Sequence, residues 1–190
     1  DLSFKSTMLL NLAFGYWQNN YDVLYISLEM SQKEIESRLY ARATRKIAYD
    51  KLMKGEYTDP KDWDRLKLMQ ENVLDPNISE DERNALKKNI ARLSGLLAGV
   101  ERGKEDMYFI KEFVEEHNRR QNQIRFWFNA QSEKIRPTQI IKYLEERANE
   151  WRPRIIMLDY LALVASETSY PDRRDLEVGE ITKFLRSAGD

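Results

Sequence analysis

Two short apolar runs stand out along the chain, Asp22-Val-Leu-Tyr-Ile-Ser-Leu28 and Ile155-Ile-Met-Leu-Asp159. Both are rich in β-forming residues and show no alternation, the pattern of strands covered on both faces, as in a parallel sheet. Ile124-Arg-Phe-Trp-Phe128 alternates instead and predicts a further strand, at an edge, with Phe126 and Phe128 on one face. Helical periods fill the gaps. Residues 5–19 predict a helix in which Met8, Leu9, Leu12, Ala13 and Tyr16 form the inward stripe and Asn19-Asn20 mark the end. Ser31 with Glu34 makes a capping box for a helix reaching about Ile47. Asp59-Pro60 opens a helix over 60–70, Thr138 caps one over 139–150, and Asp175 caps one over 176–187. Strands alternating with helices predict an α/β fold, a mainly parallel sheet flanked by helices.

Residues 72–123 differ in character. Asp75-Pro76-Asn77 is a turn, and Ser79 with Glu82 makes a second capping box. Leu86, Ile90, Leu93, Leu97 and Val100 then follow at alternating steps of four and three, a narrow apolar seam on a charged helix. Gly103 interrupts, and residues 106–119 resume as helix with Met107, Ile110 and Val114 inward. The stretch reads as a helical hairpin inserted into the α/β frame. Packing of its two helices on each other and on the domain accounts for the seam; partner binding is the alternative.

Composition narrows the chemistry. Acidic and basic residues nearly cancel, 32 against 31 in 190 residues, so no global field attracts nucleic acid, and any such contact comes from a local patch or another segment. Cysteine is absent, which removes disulfides and thiolate metal ligands and fits a reducing cytoplasm. No apolar run is long enough for a membrane span. His117 lies among charged residues and reads as part of a solvated helix face. Arg119-Arg120 and Arg173-Arg174 are candidate phosphate contacts and equally ordinary surface pairs.

The candidate chemistry sits at element ends. Phe4-Lys5-Ser6-Thr7 resembles the second half of a phosphate-binding loop, G-x-x-x-x-G-K-[ST], running into a helix. In such a loop Lys5 reaches the β- and γ-phosphates, Ser6 ligates Mg²⁺, and backbone N–H groups at the helix start, Thr7 included, face the anion. Phe4 stands where the second glycine belongs, a position where the backbone approaches the phosphate closely. Asp159 ends a buried-type strand, where ligands of open parallel sheets bind, and is placed to hold Mg²⁺ directly or through water. Glu29 follows the first strand and is placed to orient and deprotonate an attacking water. Singly, each has a plain reading too: a turn-capping aspartate, and an acid near a helix N-terminus. Together they match the requirements of γ-phosphate hydrolysis: a cation clamp, a held metal and a placed water.

Tyr25-Ile-Ser-Leu-Glu-Met-Ser31 resembles the S-L-E-M segment of bacterial and phage replicative DNA helicases of the DnaB type. Leu158-Asp-Tyr-Leu-Ala-Leu-Val164 resembles their Walker B stretch, D-Y-L-Q-L, with Ala162 in place of glutamine. Gly55-Glu-Tyr-Thr-Asp with Asp62-Trp63, Arg136-Pro-Thr-Gln-Ile140, and Leu176-Glu-Val-Gly-Glu-Ile181 with Leu185 resemble further family segments in the same order. The resemblance implies a RecA-like P-loop ATPase core, here residues 1–190 as a piece truncated at both ends, with 72–123 as a charged insertion of a kind that suits a phage variant. It implies ATP (or another NTP) and Mg²⁺, a homo-hexameric ring, movement on single-stranded DNA, and a primase and a helicase loader as partners in a bacterial or host cytoplasm. Lys5 then resembles the P-loop lysine, Ser6 the Mg²⁺-ligating hydroxyl, Glu29 the catalytic glutamate and Asp159 the Walker B acid. The family's DNA-binding loops and arginine finger would lie beyond Asp190, so the piece alone is expected to be inactive.

Two other readings use the same residues. One is a RecA- or RadA-like ATPase that is not a helicase. The other is a non-hydrolysing interaction module whose phosphate site Phe4 has closed and whose helical hairpin is the working part.

Overall fold

A computed structural model describes residues 2–128, 134–168 and 170–187. In chain order the elements are α1 (Leu2–Gln18), β1 (Val23–Ser27), α2 (Gln32–Thr44), α3 (Tyr49–Lys54), α4 (Lys61–Asn72), α5 (Glu80–Leu97), α6 (Asp106–Arg119), β2 (Ile124–Phe128), α7 (Pro137–Arg147), β3 (Ile155–Asp159), a 3-10 turn (Leu161–Leu163) and α8 (Arg174–Ser187). The chain forms two compact units, residues 1–35 with 120–190, and residues 36–119.

The first unit is α/β. Its described strands form a three-stranded sheet in the order β2-β1-β3, with both pairings parallel. Ser27 lies level with Phe128 on one side and Asp159 on the other, so the strands' carboxyl ends are flush. β1 is central and wholly buried, as its continuous apolar run predicts. β3 was expected to be equally covered, yet Ile156 is 44% exposed. The reason is position: β3 is an edge of the described sheet.

Side chains alternate across the strands. Leu24 and Ile26 point to one face, where they form a core with Ile140 of α7 and Ile181 of α8. Trp127 points the same way and stacks on Tyr143, ring centres 4.3 Å apart. Tyr25 points to the opposite face, where its ring meets Phe126 at 5.9 Å; Phe126 in turn stacks on Phe128.

α1 covers that opposite face with Ser6, Leu10, Ala13, Phe14 and Trp17, all buried. This corrects the expected inward stripe: Met8, Leu12 and Tyr16 are exposed. The helix is apolar nearly all round, so periodicity alone cannot choose its buried side. Contacts at its ends choose it. The Asn122 amide donates to the carbonyls of Trp17 and Tyr21, tying the end of α1 to the amino edge of the sheet. Ser6 reaches Asp159 at the carboxyl edge. α1 therefore runs against the strands and presents its N-terminal turn at the edge where parallel sheets bind ligands.

The second unit holds α3 to α6 and most of α2. It is larger than the predicted 72–123 hairpin, because α4 packs along α5 and Thr58 and Trp63 bond to the start of α6. The α5 seam holds, with Leu93 and Leu97 buried. On α6 the buried residues are Ile110 and Phe113, while the expected Val114 is exposed. A step of three from Ile110 puts the larger aromatic inward. Glu105 is fully buried at the start of α6 and accepts hydrogen bonds from the Trp63 indole (2.8 Å) and the Gly103 N–H (3.0 Å). The Gly103 N–H does most to hold its carboxyl below the usual range, and it outweighs burial, which pushes the other way.

Candidate functional site

At the carboxyl edge of the sheet the Ser6 hydroxyl donates to Asp159 Oδ1 at 2.9 Å, and the Tyr25 hydroxyl donates to Asp159 Oδ2 at 2.7 Å. All three residues are buried, with Tyr25 at 0% and Asp159 at 2% exposure. Their placement follows from the fold. Ser6 is one turn before Leu10 on the covered side of α1. Tyr25 is the middle residue of the central strand, and Asp159 is the last residue of β3.

Both carboxylate oxygens thus carry an O–H donor, and among the described residues no cationic side chain pairs with Asp159. A buried carboxylate without a countercharge is costly, and proteins resolve the cost by pairing the charge or holding a metal. Ser6 donates its single O–H to Asp159, which leaves the lone pairs of its oxygen available. The donor set suits Mg²⁺, an oxygen-seeking cation that takes few protein ligands and keeps waters or substrate phosphates. Among the described residues no group of three or more His, Cys, Asp or Glu could hold a metal ion.

Lys5, Thr7, Phe4 and Glu29, also singled out from the sequence, sit on α1 and just past β1. Lys5 and Thr7 flank Ser6 within α1; Lys5 is exposed and Thr7 half-buried. The helix begins at Leu2, earlier than expected, so Phe4 is already helical, and it is 71% exposed. Glu29 is exposed just past β1. The N–H of Leu28 donates to the Asp159 carbonyl at 2.8 Å, which fixes the chain leading to Glu29 beside the end of β3. Ser27 Oγ donates to the Met30 carbonyl at 2.8 Å and closes the turn that carries Glu29. Ser31 and Glu34 then cap α2 reciprocally.

The segment after β3 is held by charge. Arg174 donates to the carbonyls of Ala162 (2.7 Å) and Val164 (3.2 Å) and pairs with Glu177. Arg173 pairs with Asp175, so both members of that arginine pair are engaged within the protein. Asp175 lies inside the first turn of α8 rather than ahead of it. Glu167 accepts from the Thr138 hydroxyl and N–H and faces Arg136; burial pushes its carboxyl up, but these donors hold it below the usual range. Arg120 lies over the Trp17 ring, 4.5 Å from its centre. His117 is half-buried beside Phe113.

Tyr25 is the site residue that sequence reasoning missed. Its place in an apolar strand reads as core packing, and only the tertiary bond to Asp159 reveals the hydroxyl's use.

No protein-family model matches the chain, and a search of curated proteins finds no significant relative. No described helix is long and apolar enough to cross a membrane.

Proposed function

We propose that this chain is the nucleotide-hydrolysing core of a replicative DNA helicase of the DnaB type, with a RecA-like fold. The observation that carries the reading is the buried Ser6–Asp159 bond at the carboxyl edge of a parallel sheet. It joins a hydroxyl in the first turns of a helix to an acid at a strand end, the two protein groups a Mg²⁺–nucleotide site needs. The ordered resemblance of the S-L-E-M and D-Y-L segments supports the same reading.

In this reading the N-terminal turn of α1, where the helix dipole favours an anion, would face the phosphates of ATP or another NTP. Ser6, its hydroxyl fixed from behind by Asp159, would hold Mg²⁺, and the ion would supply charge neutralisation at the phosphates. Lys5, free of any described ion pair, offsets charge on the γ-phosphate. Glu29 accepts a proton from the attacking water. The reading also entails a homo-hexameric ring moving on single-stranded DNA, with a primase and a loader as partners in the cytoplasm of the cell or of a phage's host.

The test is titration with a fluorescent ADP analogue and Mg²⁺, alongside ATP turnover with and without single-stranded DNA in the complete polypeptide. Saturable Mg²⁺-dependent binding that Ser6→Ala abolishes, with DNA-stimulated turnover, is the expected result. No binding by the wild-type protein would remove the reading.

A second reading has one observation in its favour. Phe4 is helical and 71% exposed where a phosphate loop carries glycine. A non-hydrolysing interaction module would show Ser6 and Asp159 bonded and yet bind no nucleotide.

A further inference from the structure

We propose that Tyr25 is a positioning residue of the Mg²⁺ site: by donating to Asp159 Oδ2 it leaves Oδ1 to accept the Ser6 hydrogen bond and turns the lone pairs of Ser6 Oγ toward the cation. The inference rests on the phosphate-site reading of Ser6 and Asp159 and deepens it.

The argument begins with Asp159, which has two oxygens and free rotation about its terminal bond. A carboxylate held at one oxygen alone could swing and accept from Ser6 through either. Tyr25 removes that freedom. Its O–H···O contact of 2.7 Å has the length of a well-formed hydrogen bond. The ring that carries the hydroxyl is itself enclosed: Tyr25 is fully buried in the central strand, and its ring packs on Phe126 at 5.9 Å. Register reinforces the arrangement, since β1 pairs directly with β3, and Tyr25 stands one same-face step before Ser27, the partner of Asp159. The three residues form a chain in which a rigid strand orients an acid, and the acid orients the hydroxyl on α1. Partners one step behind a metal's ligands commonly set its affinity by 10–100-fold.

Tyr25→Phe keeps the ring and removes only the hydroxyl. The experiment is Mn²⁺ titration by electron paramagnetic resonance at saturating ADP, with ADP affinity measured separately in EDTA. The expected result is one Mn²⁺ bound by the wild-type protein and about 10–100-fold weaker Mn²⁺ binding in Tyr25→Phe, with metal-free ADP affinity unchanged. Unchanged Mn²⁺ affinity in the variant overturns the role of Tyr25 while leaving the phosphate site intact. Equal loss of Mn²⁺ and metal-free ADP binding also overturns it, as general damage. No Mn²⁺–ADP binding by the wild-type protein overturns the site reading and this inference with it. Should Tyr25→Phe fail to fold, 3-fluorotyrosine at position 25 keeps shape and hydroxyl. Its fluorine resonance is expected to move when Mg²⁺ joins the ADP complex, and an unmoved resonance overturns the proposal.

Discussion

Ser6 and Asp159 stand 153 positions apart in sequence and share a buried hydrogen bond of 2.9 Å. The bond links the N-terminal turns of α1 to the last residue of β3, so it holds a helix against its sheet and organises a candidate ligand site at once. Its removal should be felt in both properties.

Ser6→Ala leaves Asp159 Oδ1 buried without a donor. That costs roughly 1–3 kcal/mol of stability, read as a lower urea midpoint with unchanged slope. Asp159→Asn should couple to it: a double-mutant cycle on the pair is expected to give an interaction of about 0.5–3 kcal/mol. Ser6→Thr keeps a hydroxyl and should retain most of the stability and all of the Mg²⁺ dependence of nucleotide binding. Additive single effects in the cycle would show that the two residues act separately.

Phe4→Gly tests whether the loop position limits nucleotide binding. Phe4 is 71% exposed, so its loss removes little packing, while glycine within a helix costs about 1 kcal/mol of helix stability. The variant should melt slightly earlier and bind ADP more tightly, because the backbone at position 4 can then approach the phosphate. Affinity unchanged, with the wild-type protein binding well, would mean that Phe4 is already compatible with the anion.

How much of this was legible in the sequence differs by element. The central strand was, because a continuous apolar run such as Val23–Ser27 is best satisfied between two covering layers, whereas the same pattern overstated the cover of β3, an edge of the described sheet. The ends of β2 were also clear, since alternation at Ile124–Phe128 stops at polar neighbours. The buried side of α1 was not: a helix apolar on every side carries no phase, and tertiary contacts at Ser6 and Trp17 decide it. The short helix Tyr49–Lys54 was missed because so few residues show no period, although Gly55 at φ 69° marks its end as a left-handed cap. Tyr25 was hidden for a deeper reason. Strand packing and hydrogen bonding to an acid 134 positions away look the same in sequence.

Glu105 makes the second unit sensitive to acid. Its carboxyl titrates lower in the folded protein than in the unfolded chain, chiefly because the Gly103 N–H donates to it. The stabilisation is therefore complete above the unfolded value, near 4.3, and is lost as pH falls through the folded value below it. The Trp63 indole bonds to the same carboxylate, so Trp63 fluorescence should report loosening as the pH drops below about 4.3. Glu105→Gln should destabilise the unit at neutral pH and flatten this acid limb. An identical limb in the variant would assign it to other carboxylates.

Glu29→Gln separates binding from chemistry. Glu29 is exposed at the carboxyl edge, on a turn anchored by the Leu28–Asp159 backbone bond and by Ser27 on Met30. Glutamine is nearly the same shape, so the turn, the stability and the affinity for Mg²⁺–ADP should all survive. A neutral amide cannot take the proton of an attacking water, and ATP turnover in the complete polypeptide should fall about 10²–10⁴-fold. Turnover unchanged by the substitution would remove Glu29 as the general base. Lost ADP affinity would instead mark Glu29 as part of the binding surface. Only normal binding with collapsed turnover assigns it the proton, because a purely structural acid on this turn would change both together.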